Sequence, residues 1–451
     1  MLSPLLLDVG GHQLEAAETI LQVGRFLVIV LAARAMAEVM VRLQLPTILG
    51  ELVAGVLIGV SGLHLILPPD AHAELNGLMV RGVASLTAIT PEQVRDLYDH
   101  SFPNLKAIAQ LGLFSLLFLT GLECDLDELL AVGVQATTVA LTGVLLPFAL
   151  GTFGLYQLFH VPLMAAIFAG AAMTATSIGI TASVLGELKF LKCREGQMVI
   201  GAAVLDDILG IVILAVVVAL GAGGSFSLGP VLKLLLAAAV FVVVSLVLGR
   251  TAAPAFDWLL DQLKAPGEVV AAAFVVLTLA CLAAQAIGLE AALGAFAGGL
   301  VLSASRHRHA IEEAMTPIVA LFATMFFVLI GTGMDLAALN PLDPANREGL
   351  IMAAFLLLAA IVSKVAAGWS YRSAEPTNRL AVGLGMLPRG EVGLIFLGLG
   401  SQTGLLTPPL EAAILVMVIG TTFLAPVLLR LVLSGQAGED GQPALVSPGP
   451  P

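Results

Sequence analysis

Runs of about 20 apolar residues recur along the chain, separated by short stretches of charge, Gly and Pro. A helix needs about that length to cross the hydrocarbon core of a bilayer. The pattern predicts about thirteen spans, at roughly 19–42, 47–66, 105–123, 131–159, 162–186, 194–221, 228–250, 268–287, 289–304, 317–335, 350–371, 379–402 and 408–433. The first is the least typical, because Arg25, Arg34 and Glu38 fall inside it. Residues 1–18 read as an N-terminal extramembrane segment. Residues 67–104 read as a long extramembrane loop with a short helix near Pro91 to Tyr98. The Gly-, Pro- and Ser-rich tail, 434–451, reads as disordered and cytoplasmic.

Composition turns this pattern into a class. Of 451 residues, 59% are hydrophobic and 12% charged, and the mean hydropathy is +1.02. Soluble domains carry roughly 25% charged residues, so no soluble fold of this size could hide so much apolar surface. The expected fold is an all-α polytopic membrane protein, and its 47 glycines suit helices that pack closely in lipid. The net charge of −12 comes without a basic patch, which argues against a nucleic-acid partner. Cys124, Cys193 and Cys281 are too scattered for a metal or disulfide framework. Residues 1–18 lack the basic start of a secretory signal.

Loop charge sets orientation. With the N-terminus outside, the inner side receives Arg42, Lys189, Lys192, Arg194, Arg250, Lys264, Arg306, Arg308, Arg372, Arg379 and Arg430. The outer side receives Arg81, Arg95, Lys106 and Arg347. The imbalance favours N-out and C-in, in a plasma (inner) membrane or an internal energy-coupling membrane.

The chain also repeats itself. The third span ends FLTGLECDL (118–126) and the tenth VLIGTGMDL (328–336). Leu119, Gly121, Asp125 and Leu126 match Leu329, Gly331, Asp335 and Leu336, 210 residues later. The preceding spans echo each other as AGVLI (54–58) and AGGLV (297–301). The shift is seven helices, an odd number, so the copies run in opposite senses through the membrane. Inverted repeats belong to secondary transporters that alternate access around a central site.

Ionisable groups at membrane depth cost several kcal/mol, so each needs a reason. Asp206 and Asp207 stand near the middle of the sixth span, in GAAVLDDILGIVILAVV. Adjacent helical residues point about 100° apart, so one carboxylate can face an ion cavity while the other faces a neighbouring helix. A carboxylate deprived of water takes up a proton more readily, and when ionised it offers hard oxygen ligands to a small cation. One site can then hold a proton or a metal ion, but poorly both. Lys364, in LLLAAIVSKVAAGWS of the eleventh span, is the candidate counter-charge. Two further spans carry interruptions. The fifth has Thr174, Thr176, Ser177, Gly179 and Thr181, and the twelfth has Pro388 and Gly390 in mid-span. These spans are again seven apart. Crossed discontinuous helices would present free carbonyls, hydroxyls and half-helix dipoles to an ion. Arg389 and Glu391 would lie beside the second break, paired with each other or with a dipole end. Glu51, Glu123, Asp125 and Glu290 sit at span ends and read as interfacial.

Together GELVAGVLIG, LFLTGLECDL, TATSIGITASVLGEL, VLDDILG, EAALGAFAGGLVL, FFVLIGTGMDL and GMLPRGEVGLI resemble the monovalent cation:proton antiporter superfamily, and most its bacterial sodium/proton branch, over residues 20–433. The resemblance implies a thirteen-helix homodimer with no cofactor, moving sodium, with lithium a further candidate, against protons by alternating access. Dimerisation-domain helices would occupy 19–130 and 268–349, core ion-transport helices 131–221 and 350–433, and a linker helix 222–267. It implies that Asp207 is the central metal-ion ligand and that Asp206 pairs with Lys364. An Asp in the first position goes with electrogenic exchange in this family. Asp206, Asp207, Lys364, Thr176 and Ser177 are thus the expected ion and proton site, with Thr174, Pro388, Arg389 and Glu391 as support at the helix breaks.

Three other readings compete. Potassium could replace sodium. A sodium-coupled solute symporter would need a roomy organic pocket, which the paired Asp and buried Lys fit less well. An intramembrane aspartyl protease needs carboxylates converging from different helices, whereas Asp206 and Asp207 are adjacent on one. The chain is therefore not expected to be an enzyme.

Overall fold

The computed structural model describes residues 4–69, 78–87, 89–124, 126–221, 228–340, 342, 346–372, 376–390, 393, 396, 397, 400 and 404–434. No strand occurs among the described residues. The helices are α1 (Pro4–Arg42), α2 (Thr47–Ile58), α3 (Leu78–Thr87), α4 (Pro91–Glu123), α5 (Leu126–Ala131), α6 (Gly133–Leu158), α7 (Leu163–Ala172), α8 (Ile178–Glu187), α9 (Arg194–Gly221), α10 (Leu228–Thr251), α11 (Ala253–Gln262), α12 (Glu268–Ala286), α13 (Ala291–Leu302), α14 (Arg308–Thr332), α15 (Arg347–Ala367) and α16 (Arg379–Gly385), followed by a C-terminal helix, Pro408–Ser434.

Among the described residues, seven helices are long and apolar enough to cross a membrane, or eight if the bent pair α10–α11 is one span. An all-α membrane protein is thereby established; a count of thirteen is not. Helices α2 and α13, at the second and ninth expected spans, have 12 residues each. Twelve residues rise about 18 Å, short of the roughly 30 Å hydrocarbon core. The fifth expected span is two short helices, α7 and α8, and part of the twelfth lies outside the described residues.

The N-terminal region is more helical than its charges suggested. Residues 4–18 continue α1 as helix. The stretch 67–104 is not loop throughout: it contains α3, and α4 starts at Pro91 and runs through Pro103. Its charges hid this helix from a hydropathy reading. Val94, Tyr98, Ser101, Phe102, Leu105 and Ala109 nevertheless recur at helical spacing and form a buried stripe. The tail from 435 on and Asp125 lie outside the described residues.

The chain divides into two compact units, one of Met1–Leu113 with Ile318–Ala337, the other of Phe114–Pro317 with Ala338–Pro451. In the first, Arg25 is completely enclosed. Its guanidinium stacks 3.6 Å from the Tyr98 ring centroid and donates to Ser101 Oγ at 3.0 Å and the Tyr98 carbonyl at 2.8 Å. An aromatic ring and neutral oxygen acceptors thus carry most of the contacts of this buried arginine. In the second unit, Phe168 of α7 and Met173 just past its end, Leu356 and Ala360 of α15 and Ile414 and Met417 of the C-terminal helix share one core.

The repeat is visible in glycine packing. In the first unit, Gly331 lies on the backbone of α2 at Leu52 and Gly55, and Gly55 lies on Val328 and Gly331. In the second, the matching Gly121 lies on Phe296 and Leu300 of α13, and Gly299 lies on Phe118 and Leu122. Any side chain at these positions would collide with backbone, so the close approach requires glycine. Each copy's second helix thus packs on the first helix of the other copy.

Candidate functional site

The site residues all belong to the second unit. They sit where two helix breaks meet. The first break separates α7 from α8. The C-terminal end of α7 gives way to extended backbone, and Ser177 caps α8, accepting from Ile180 N at 3.5 Å. Ser and Thr hydroxyls compete with the helix for backbone partners, which favours such ends over helix interiors. The second break follows α16, which Asn378 caps by accepting from Ala381 N at 3.0 Å. Pro388 disfavours an α conformation at the residue before it and donates no N–H, and the chain is out of the helix there.

The breaks satisfy each other. Ser177 N donates to the Pro388 carbonyl at 2.9 Å. Thr176 Oγ1 donates to the Met386 carbonyl at 3.0 Å, and Thr181 Oγ1 to that of Gly385 at 2.8 Å. Thr176 and Met386 are 210 residues apart, the repeat's own offset. Buried carbonyls freed by helix ends cost stability unless bonded, and here each break supplies donors to the other.

Two cations close the arrangement. Lys364 is fully buried in the last turn of α15. Its ammonium donates to the Thr174 carbonyl at 2.9 Å, Thr176 Oγ1 at 3.0 Å and Asp206 Oδ2 at 3.1 Å. All three ammonium protons are thereby used, and no snorkelling occurs. Arg389 is equally buried, and its Nη1 donates to the Thr174 carbonyl at 2.9 Å and to that of Ala175. Both cations thus sit at the C-terminal, electronegative end of α7. Glu391 lies outside the described residues.

Asp206 and Asp207 divide as their 100° separation requires. Asp206 has no solvent exposure and is bound to Lys364; among the described residues its Oδ1 makes no hydrogen bond. Asp207, the next residue of α9, is buried but 9% exposed. The arrangement therefore holds two acids and two bases in one largely water-free space. Any change of proton or cation at one acid must alter the electrostatics of the other groups, because low dielectric strengthens every pairwise interaction.

Two contributors were not singled out from sequence. Gly143 of α6 leaves the room that Lys364 occupies: a Cβ there would stand 3.3 Å from Nζ. Thr422 of the C-terminal helix donates to the Arg389 carbonyl at 2.6 Å. Adjacent Thr421 and Thr422 in an apolar helix were the available signal for the second; nothing in the sequence marked Gly143 among so many glycines.

An all-helical membrane chain with an inverted repeat and paired helix breaks around buried charge defines a secondary transporter. The family profile described as "Sodium/hydrogen exchanger, transmembrane" matches residues 27–435, and the chain belongs to that family of transporters. It is 46% identical over 414 residues to the high-affinity Na(+)/H(+) antiporter NhaS3 of Synechocystis sp. (strain ATCC 27184 / PCC 6803 / Kazusa), covering 92% of this chain and 90% of that protein. It is 29% identical over 410 residues to the Na(+)/H(+)-K(+) antiporter GerN of Bacillus cereus, covering 89% and 94%. Its fold is similar to that of the sodium proton antiporter MjNhaP1 from Methanocaldococcus jannaschii at pH 8, with a TM-score of 0.58 at 17% identity over 93% of this chain and 98% of that one.

Proposed function

We propose that this protein exchanges sodium for protons across its membrane, and that Asp207 and Asp206 are the groups that carry them. The observation that carries the reading is the buried Asp206–Lys364 pair at the meeting of two helix breaks, with Asp207 beside it. Asp207 ligates the arriving cation, and the Thr176 and Ser177 region supplies further oxygens. Arrival of sodium draws charge from Asp206, loosens its hold on Lys364, and releases a proton. At the other face sodium leaves, and a proton taken up from that side restores the pair. Because one acid pair serves both ions in turn, exposure to alternate sides couples the fluxes without a cofactor. Thr174, Pro388 and Arg389 hold the breaks in place.

Exchange is electrogenic, in keeping with two acids and a titrating lysine. The protein works as a homodimer, with its N-terminus outside and its C-terminus cytoplasmic in the plasma (inner) membrane or an internal energy-coupling membrane. The dimerisation helices lie within 19–130 and 268–349 and the transport core within 131–221 and 350–433. The 46% identical relative named a Na(+)/H(+) antiporter supports sodium. Potassium is a second reading, favoured by the relative named a Na(+)/H(+)-K(+) antiporter.

The test is a proteoliposome assay with a pH-sensitive dye, adding sodium, lithium or potassium with and without an imposed potential. Sodium-driven, potential-sensitive proton movement is expected. Absence of cation-dependent proton movement would refute exchange, and a response to potassium alone would replace the ion.

A further inference from the structure

Helix α11 turns one acid, Asp257, inward and leaves large apolar side chains outward. On a water-facing surface helix, apolar side chains turn to the protein and charges turn out. Here Asp257 is 8% exposed, whereas Trp258 is 65%, Leu259 51% and Leu263, just past the helix, 43% exposed.

The inward acid is fully engaged. Ser305 Oγ donates to Asp257 Oδ1 at 2.5 Å, and Arg306 N to Oδ2 at 3.3 Å. The Arg306 guanidinium reaches both Asp257 and Asp261, and His307 Nε2 lies 3.0 Å from Asp261 Oδ1. This polar clasp ties α11 to the segment between α13 and α14. It offsets the cost of turning an acid away from water. The outward face is then free to be apolar.

What covers that face is indicated by the preceding helix. Along α10, Leu232, Leu236, Val240, Val243 and Val247 are all more than half exposed, the surface of a helix in lipid. The axis turns by 57° between Gly249 and Ala253, and the exposed apolar surface continues into α11. A tryptophan at such a turn suits the headgroup level, where an amphipathic ring has one apolar and one wet side. Lys264, exposed just beyond the helix, suits lipid phosphates.

We propose that α11 is an interfacial helix, held by the Asp257–Ser305–Arg306 clasp with Trp258 and Leu259 immersed at the headgroup boundary of the bilayer. The chain has two tryptophans, so Trp369→Phe leaves Trp258 as sole reporter. The variant is reconstituted at low protein density in phosphatidylcholine/phosphatidylglycerol vesicles carrying bromines near the headgroup or near the chain ends. Expected is a several-fold larger loss of emission with shallow bromines than with deep ones, and little quenching by aqueous iodide. Strong iodide quenching without lipid quenching would place the helix in water and overturn the proposal. Shielding from both, lifted only when dimers are dissociated, would assign the face to a second copy and also overturn it. If Trp369→Phe misfolds, the difference in quenching between the unsubstituted chain and Trp258→Phe isolates the same signal.

Discussion

The ammonium of Lys364 lies 3.1 Å from Oδ2 of Asp206, with neither side chain exposed to solvent. Pairs of this kind are strongly destabilised when one partner is removed, by about 3–5 kcal/mol, because the other charge is left uncompensated. Lys364→Ala is therefore expected to lower the thermal midpoint of the purified protein and to abolish the effect of an imposed potential on exchange. Potential-sensitive transport at unchanged rate, with an unchanged midpoint, would contradict the pairing.

Gly143 gives Lys364 its room. A Cβ there would stand 3.3 Å from Nζ and 3.8 Å from the Ala367 Cβ. Gly143→Val adds two further methyls and is expected to push the ammonium off Asp206. Sodium-driven proton flux should fall by roughly tenfold or more, matching the loss of one buried charge-assisted bond. Gly143→Ala should lie between the two. Equal fluxes across the three proteins would show that the packing does not matter.

If protons and sodium compete for the same carboxylates, acid must weaken sodium binding. The KM for sodium is expected to rise as pH falls, approaching about tenfold per pH unit where one proton competes with one ion. Maximal velocity at saturating sodium should change much less. A KM that stays flat between about pH 6 and 9 would separate the two ions' sites.

Cys193, in the turn before α9, tests orientation. Its thiol is pushed up from the usual value by partial burial and by the charge of Glu195. A raised thiol has less thiolate at neutral pH than a free one, and gains reactivity only as the medium becomes alkaline. In a Cys124→Ser, Cys281→Ser background, a membrane-impermeant maleimide should label it slowly at neutral pH, faster at alkaline pH, and only from the cytoplasmic face. Labelling from the outside would reverse the proposed topology.

Much of the site was legible in the sequence because charge inside an apolar span is conspicuous. Asp206, Asp207 and Lys364 stood out for that reason alone, and Pro388 and the Thr174–Ser177 cluster marked the helix breaks. Their mutual arrangement was not legible in the same way. That Thr176 bonds Met386, and that Arg389 rests on the carbonyls of Thr174 and Ala175, depends on two segments about 210 residues apart being brought together. Charge also misled: the polar stretch 91–104 read as mostly loop, although Val94, Tyr98 and Phe102 kept a helical stripe within it. Helix length was hidden too, since the glycine-dense runs of α2 and α13 continue apolar after their helices end.

Sodium and a proton must displace one another at Asp207 and Asp206 if this site drives exchange. Adding sodium to the purified protein in weakly buffered detergent solution, and recording the pH, observes that displacement without transport. Acidification on sodium addition is expected for the unsubstituted chain, and none for Asp207→Asn at the same sodium concentration. Equal proton release from both proteins, or sodium binding to the unsubstituted chain with no proton released, would contradict it.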